Sequence, residues 1–290
     1  MDHMSSYVTC GLFGQLGNQL FQIATTLAYA WDYGATPLFP ELNKGEDRIS
    51  YNKDRIFFRL NPSMPPKPFR ELFQESAYYS STRVPFRQDL VLYGHFQSWK
   101  HFHHHRDKLL SVFAPSNEVS EKLQQKYGSL LSRPDTVGVH LRTYSKHLHE
   151  NGLHPFSGFK FFRDAMSHFP NALFVIFSDR IEWCKRVCPK EFPDKQLLFI
   201  EGNDGVEDLF LLSMMRHQIF GNSTFGWWGG YLNQSPHRKI ISPRHWRDPA
   251  RFGYLPIEDL SLPDWTLLPV GFDHPYPEGL EKEATTSVNG

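Results

Sequence analysis

The sequence predicts an α/β fold in two halves, each a parallel sheet with helices laid over it. Three observations carry this. The chain opens with a strand, a glycine-rich turn, a helix and a second strand. From Thr136 to Ser242 short apolar runs alternate with helical periods. Between the two regions stands the breaker Arg133-Pro134-Asp135. The 290 residues suit one large domain or two of ordinary size, and 40% hydrophobic with 15% aromatic content is enough for a real core.

Tyr7 to Leu12 reads as the first strand, followed by Gly11, Gly14 and Gly17 at intervals of three. A helix runs from Asn18 to about Tyr33, because Leu16, Leu20, Ile23, Leu27 and Trp31 keep the helical period and Gly34 stops it. Thr36 to Phe39 gives the second strand, completing a Rossmann-like unit. Residues 40–89 hold Pro62, Pro65, Pro66, Pro68 and Pro85 among many aromatics, which predicts irregular structure. Leu90 to Tyr93 is again strand-like, and helical patterns follow at 105–113 and 117–131.

In the second half, strands are expected at Thr136–Leu141, Ala172–Phe177, Leu197–Ile200, His217–Gly221 and Arg238–Ser242. Helices are expected at Gly158–Phe169, Arg180–Val187, Val206–Arg216 and Thr224–Leu232. The expected domains are residues 1–132 and 133–275, with 276–290 a polar, disordered tail.

Lys plus Arg and Asp plus Glu both number 31, so no global field draws the chain to nucleic acid or to an acidic membrane. Cys10, Cys184 and Cys188 form neither a disulfide nor a zinc framework, which fits a reducing compartment. No apolar run is long enough to span a membrane, and MDHMSSYVTC lacks the form of a signal peptide. The expectation is a cytoplasmic protein.

Ligands of open α/β sheets bind beyond the carboxyl ends of the strands. Four segments sit there: the glycine turn, His140-Leu141-Arg142, Ser178-Asp179, and Gly221-Asn222-Ser223-Thr224. Arg142 offers a planar fork of donors suited to phosphate, and His140 points to the same face of its strand. Ser223 and Thr224 open a helix whose free N–H groups and dipole favour an anion. Asp179 either caps a helix or pairs with the N–H edge of a base such as guanine. Together these make a nucleoside diphosphate site.

Plainer readings stand beside these. His140 alone suits a core histidine, and Trp227 and Trp228 suit core as well. Asn222-Ser223-Thr224 and Asn233-Gln234-Ser235 match the N-glycosylation pattern, without a secretion signal to support it. Consecutive residues on a helix do not face one way, so His103-His104-His105 reads as solvated surface rather than as a metal site. The glycine turn does not have the dinucleotide spacing G-x-G-x-x-G. No D-x-D and no P-loop lysine motif occurs, so phosphate charge is expected to rest on Arg and helix starts, with no metal and no other cofactor.

Taken together, these stretches resemble the α-1,2-fucosyltransferases, glycosyltransferase family 11. GQLGNQLFQIATTLAYA is similar to that family's G-x-x-G-N-Q-L-F-Q opening, and YGHFQSWKHF to its G-Y-F-Q-S-x-x-Y/F element. VHLR resembles H-x-R-R-x-D-Y, FSDRIEWCK resembles F-S-D-D-x-x-W-x-K, and EDLFLLSMMRHQI fits D-x-x-L-M-x-x-C-x-H. GNSTFGWWGGYL is close to N-S-T-F-S-W-W-x-A-x-L. The order is right, and the resemblance spans roughly residues 8 to 245. One departure is clear: Thr143 stands at the family's second Arg, and Tyr144-Ser145 replace its Gly-Asp.

The resemblance implies a GT-B-like fold, two Rossmann-like halves facing a cleft, the first on the acceptor side and the second binding the GDP-sugar. It implies inverting, metal-independent transfer of L-fucose from GDP-β-L-fucose to the 2-hydroxyl of a galactose-containing glycan. Carried over, Arg142 binds the β-phosphate beside Asn222, Ser223, Thr224 and Phe225. His140, Ser178 and Asp179 lie at the guanosine, and Gly14, Gly17 and Asn18 reach the donor from the first half. Glu150, His154 and Glu207 are candidate proton acceptors. Two rivals remain: the same scaffold with another linkage or GDP-sugar, and an inactive glycan-binding module built on aromatics such as Trp99.

Overall fold

The computed structural model describes residues 6–44, 47–77, 79–253 and 257–280. In chain order the strands and α-helices are β1 (Tyr7–Cys10), α1 (Leu16–Tyr33), β2 (Thr36–Pro37), α2 (Asp47–Lys53), β3 (Glu71–Gln74), β4 (Leu90–Tyr93), α3 (Arg106–Val112), α4 (Asn117–Leu131), β5 (Thr136–Leu141), α5 (Lys146–Glu150), α6 (Gly158–Met166), β6 (Leu173–Ser178), α7 (Ile181–Glu191), β7 (Gln196–Phe199), α8 (Gly205–Ser213), β8 (His217–Phe220), α9 (Thr224–Leu232), β9 (Ile240–Pro243), α10 (Pro249–Phe252), α11 (Ile257–Leu260) and β10 (Thr266–Leu268). No helix among the described residues is long and apolar enough to cross a membrane.

Two compact units result. The first comprises residues up to Ser116 together with 257–262, and the second the remainder. In the first unit, four parallel strands lie in the order β2-β1-β4-β3. Helix α1 packs on β1 and buries Leu20, Phe21, Ile23 and Leu27. Its C-cap is Gly34 at φ 66°, the left-handed position that ends helices without a Cβ penalty.

In the second unit, six parallel strands lie in the order β10-β9-β8-β5-β6-β7. This is the doubly wound arrangement, with its topological switch between β5 and β8. All six residues of β5 are buried, as expected of a central parallel strand covered on both faces. Phe156, Phe161, Phe162, Met166, Trp183 and Phe192 fill one side of this sheet.

Three expectations need correction. The division falls after Ser116, not at 132, because α4 belongs to the second unit. Its buried stripe of Val119, Leu123 and Leu130 packs against α8, and Lys122 reaches Glu207 at 2.5 Å. The stretch read as irregular contains β3, a full member of the first sheet. Residues 276–280 are no loose tail: Leu280 is fully buried, its carbonyl accepts from Arg180 Nη1 at 2.8 Å, and Glu278 O accepts from Trp183 Nε1 at 3.0 Å. Residues 281–290 lie outside the described residues.

The histidine run also differs from its reading as free surface. His103–His105 form a 3-10 turn, and the Nε2 atoms of His104 and His105 approach Asp32 Oδ1 at 3.0 and 2.8 Å. Burial pushes the Asp32 carboxyl up, but the bonds from His105 and His104 outweigh it and hold it below its usual value.

Candidate active site

Three of the four strand-end segments meet at the switch point of the second sheet. Asp179, which follows β6, is the hub. Its Oδ1 accepts from the backbone N–H of Thr143 at 3.0 Å and from Thr143 Oγ1 at 3.1 Å, and its Oδ2 lies 3.5 Å from Arg142 Nη1. Asp179 is therefore not the cap of α7, whose N-cap is Arg180. Thr143 cannot supply the charge of the family's second Arg, but it fixes the exit of β5 from a buried position.

The next residue ties β5 to β8. Tyr144 donates its hydroxyl to Asn222 O at 2.8 Å, and the Arg142 guanidinium lies 5.3 Å from the Tyr144 ring centroid. Burial pushes the Tyr144 phenol up, so it stays a neutral donor. An arginine held by one carboxylate and one aromatic face has much of its rotamer freedom removed beforehand. Its side chain remains 19% exposed, enough for the fork to meet a ligand.

His140 is buried with its ring 5.0 Å from Phe225. Burial first, then the Arg142 charge, pushes its pKa down to about 3, so the imidazole is neutral at physiological pH. Its Nδ1 is enclosed and has no hydrogen-bond partner among the described residues. A Cβ on Gly226 would stand 3.0 Å from this nitrogen and 2.6 Å from Phe220 Cβ, so glycine lets α9 press against the strand ends.

Ser223 is the N-cap of α9, yet its side chain makes no capping bond. The first bond into the helix is Trp227 N–H to Ser223 O at 2.9 Å, so the amides of Thr224, Phe225 and Gly226 precede the helical ladder. Asn222 is occupied otherwise. Its Nδ2 donates to Pro155 O at 2.7 Å and Trp246 O at 3.1 Å, and its Oδ1 receives Ser157 Oγ at 3.4 Å. These bonds hold together the loops around the site. Ser178 Oγ accepts from Arg180 N–H at 3.1 Å.

The proton-acceptor candidates stand in different settings. Glu207 is 1% exposed, paired with Lys122, and serves as the third residue of a capping box with Asp204. Glu150 is exposed on α5, 3.9 Å from Lys146 Nζ. His154 stacks on Tyr144, the ring that Arg142 also approaches, with ring centroids 4.8 Å apart.

The glycine turn belongs to the first unit. Gly14 has φ 76°, and a Cβ there would meet Asn18 Nδ2 at 2.4 Å, so only glycine accommodates both the turn and the asparagine over it. Asn18 Oδ1 accepts from Gln97 Nε2 at 2.9 Å, which joins two of the sequence stretches singled out above. Gly17 lies within α1. Three residues escaped sequence reasoning: Thr143 and Tyr144, noticed only as departures, and Glu75, one of two acids after a proline-rich tract.

These features define an α/β protein of the GT-B-like class. The crystal structure of the α-1,6-fucosyltransferase NodZ soaked with GDP-fucose matches at TM-score 0.53, covering 79% of this chain and 92% of that one. A second NodZ structure, from Bradyrhizobium, matches at TM-score 0.53 over 78% of this chain and 92% of that chain. At 14% and 13% identity these likenesses speak for the fold alone.

The sequence profile of Glycosyl transferase family 11 matches residues 2–268, and the chain belongs to that family of glycosyltransferases. It is 26% identical to an alpha-1,2-colitosyltransferase of Escherichia coli, over 83% of this chain and 92% of that protein. It is 30% identical to galactoside alpha-(1,2)-fucosyltransferase 1 of Leontopithecus chrysomelas, over 76% of this chain but only 63% of the relative's length.

Proposed function

We propose that the protein transfers L-fucose from GDP-β-L-fucose to the 2-hydroxyl of a galactosyl acceptor, with inversion and without a metal ion. One observation carries the reading: the immobilised Arg142 fork and the uncapped start of α9 stand together at the switch point of the second sheet. That combination suits a diphosphate. The 1,2 linkage and the fucosyl group are supported by the galactoside relatives and the family's motif order.

In this reading the bond from the sugar's anomeric carbon to the β-phosphate oxygen breaks, and its electron pair leaves with GDP. The Arg142 guanidinium and the first-turn amides of α9 stabilise that charge as it develops. Asp179 keeps Arg142 aimed, and the neutral His140 ring faces the guanosine. The acceptor hydroxyl attacks from the opposite face and releases its proton, with His154, stacked on the Tyr144 ring that Arg142 also approaches, the candidate to receive it.

Arg142→Ala should lower the transfer rate by about 10²–10³-fold, the scale for losing one preorganised donor, and leave the melting temperature nearly unchanged. Calorimetric titration with GDP and transfer assays on β-galactosides, with linkage read by NMR, check this. Full activity in the variant, or no GDP binding by the wild type, would overturn the assignment. A second reading has its own support, since the colitosyltransferase aligns over 92% of its length: the same 1,2 linkage made with a different donor sugar. Competition between fucosyl and colitosyl donors for GDP-displaceable binding separates the two.

A further inference from the structure

In the first sheet the strand order β2-β1-β4-β3 has its own switch point, between β1 and β4. A cavity of about 290 Å³ opens at the carboxyl ends of these strands, lined chiefly by Phe13, Gln74, Glu75, Tyr93, Gly94 and His95. We infer that this cavity binds one neutral sugar ring of the acceptor, with Tyr93 as its apolar platform and Glu75 as the acceptor of one of its hydroxyl protons in a hydrogen bond. The identity of the sugar rests on the transferase reading above; the site itself rests on the following geometry.

Tyr93 is 48% exposed, although it is the last residue of an inner strand of the sheet. Its ring lies 5.3 Å from Phe13, and Phe13 lies 4.9 Å from the His95 ring, so three flat side chains line one small concavity. The C–H faces of a pyranose pack on such rings while its hydroxyls need polar partners. The volume suits one ring, near the lower bound of about 300 Å³ for small-molecule pockets.

Glu75 supplies the polar partner. Its Oε2 accepts the backbone N–H groups of His95 at 2.7 Å and Phe96 at 2.9 Å. Glu75 lines the cavity, and its Oε1 is buried with no hydrogen-bond partner among the described residues. An enclosed carboxylate oxygen without a donor is costly, and burial pushes this carboxyl above its usual value despite the two N–H bonds. Torsion about the last side-chain bond is soft, so a small rotation presents Oε1 to a hydroxyl. No second carboxylate lines the cavity, which disfavours a divalent cation as occupant.

The backbone is shaped for this side chain. A Cβ on Gly94 would stand 2.4 Å from Glu75 Cβ and 2.8 Å from its Oε2. Phe96 holds a left-handed φ of 50°, and Glu75 grips its amide. A purely structural Glu75 would need only Oε2 for that grip. Glu75→Gln keeps an oxygen for both amides and removes the charged acceptor, so it separates the two roles.

Saturation-transfer NMR with methyl β-galactoside reads binding with no donor present. Wild type should transfer saturation to the ring protons, and Tyr93→Ala and Glu75→Gln should weaken affinity about tenfold, the scale of one lost hydrogen bond to a charged group. Absence of transfer in the wild type, or unchanged affinity in both variants, overturns the inference. GDP titration of the same samples should agree within about twofold across the three, as expected for separate sites. A wild type that binds the galactoside but not GDP would sink the transferase reading and leave the sugar site standing.

Discussion

Asn222 shows how one side chain can organise the loops of a site through its own hydrogen bonds. It is 3% exposed and joins the exit of β8 to Pro155, Ser157 and Trp246. Asn222→Ala would leave two buried carbonyls without donors, a cost of about 2–4 kcal/mol. We expect the melting temperature to fall by about 5–10 °C, measured by scanning calorimetry. Arg142→Ala should do the reverse, harming binding and sparing stability. Loss of stability with Arg142→Ala and none with Asn222→Ala would refute this division of roles. The buried position also removes Asn222 as a glycosylation acceptor. At this scale the sequence showed which side chains gather, Arg142, Asp179 and Asn222 among them. It did not show their partners, because hydrogen bonds between strand exits have no local pattern. Asp179 is an example: its bonds to Thr143 and Arg142 join residues 36 and 37 positions apart in the chain, a separation no local motif spans.

Helix α9 is positioned by glycine at the points of closest approach. An alanine at Gly226 would gain up to about 1 kcal/mol of helix propensity. It would also place a carbon 2.6 Å from Phe220 Cβ, a fixed part of a central strand. Overpacking of that kind costs about 1–3 kcal/mol, so Gly226→Ala should be net destabilising. It should also weaken GDP binding, since the same carbon crowds His140 at 3.0 Å. Denaturant melts and GDP titration test the two effects, and a stabilised variant would show that the sheet yields. Elements like α9 were legible because apolar period and helix length agree. The strand β3 was not: ELFQ is mostly exposed, and its pairing with β4 leaves no alternating signature. The helix α4 was seen at its observed span, but its unit was misassigned, because a periodic stripe does not say which sheet it covers.

Across the molecule, buried ionisable groups set the pH range of stability. Burial pushes His140 down to about 3 and also lowers His101, His149, His217 and His245. A histidine with a depressed folded pKa contributes stability that is complete above about 6.5 and lost as pH falls towards the folded value. Asp208 has the opposite sign. Burial raises it to about 6, so its contribution is complete below about 3.9 and lost as pH rises through 6. Five histidines oppose two carboxylates raised by burial, Asp208 and Glu75, so the melting temperature should decline from pH 7 to pH 5. Asp208→Asn should stabilise the fold at pH 7 and above by on the order of 2 kcal/mol, and steepen the decline towards acid. A flat profile between pH 5 and 7 would contradict this.

The short helix α11 has a consequence for how the chain is made. It belongs to the first unit, where Glu258 O accepts from Trp99 Nε1 at 3.0 Å and Asp259 pairs with Lys100. During synthesis the amino-terminal sheet emerges first, as domains usually fold in that order. Yet the partner of Trp99 and Lys100 leaves the ribosome only after β5 through α10 have been translated. The unit begun first is therefore completed only after most of the second has been made, and a nascent chain stalled before Ile257 would carry that sheet with its Trp99 edge still waiting for its seal.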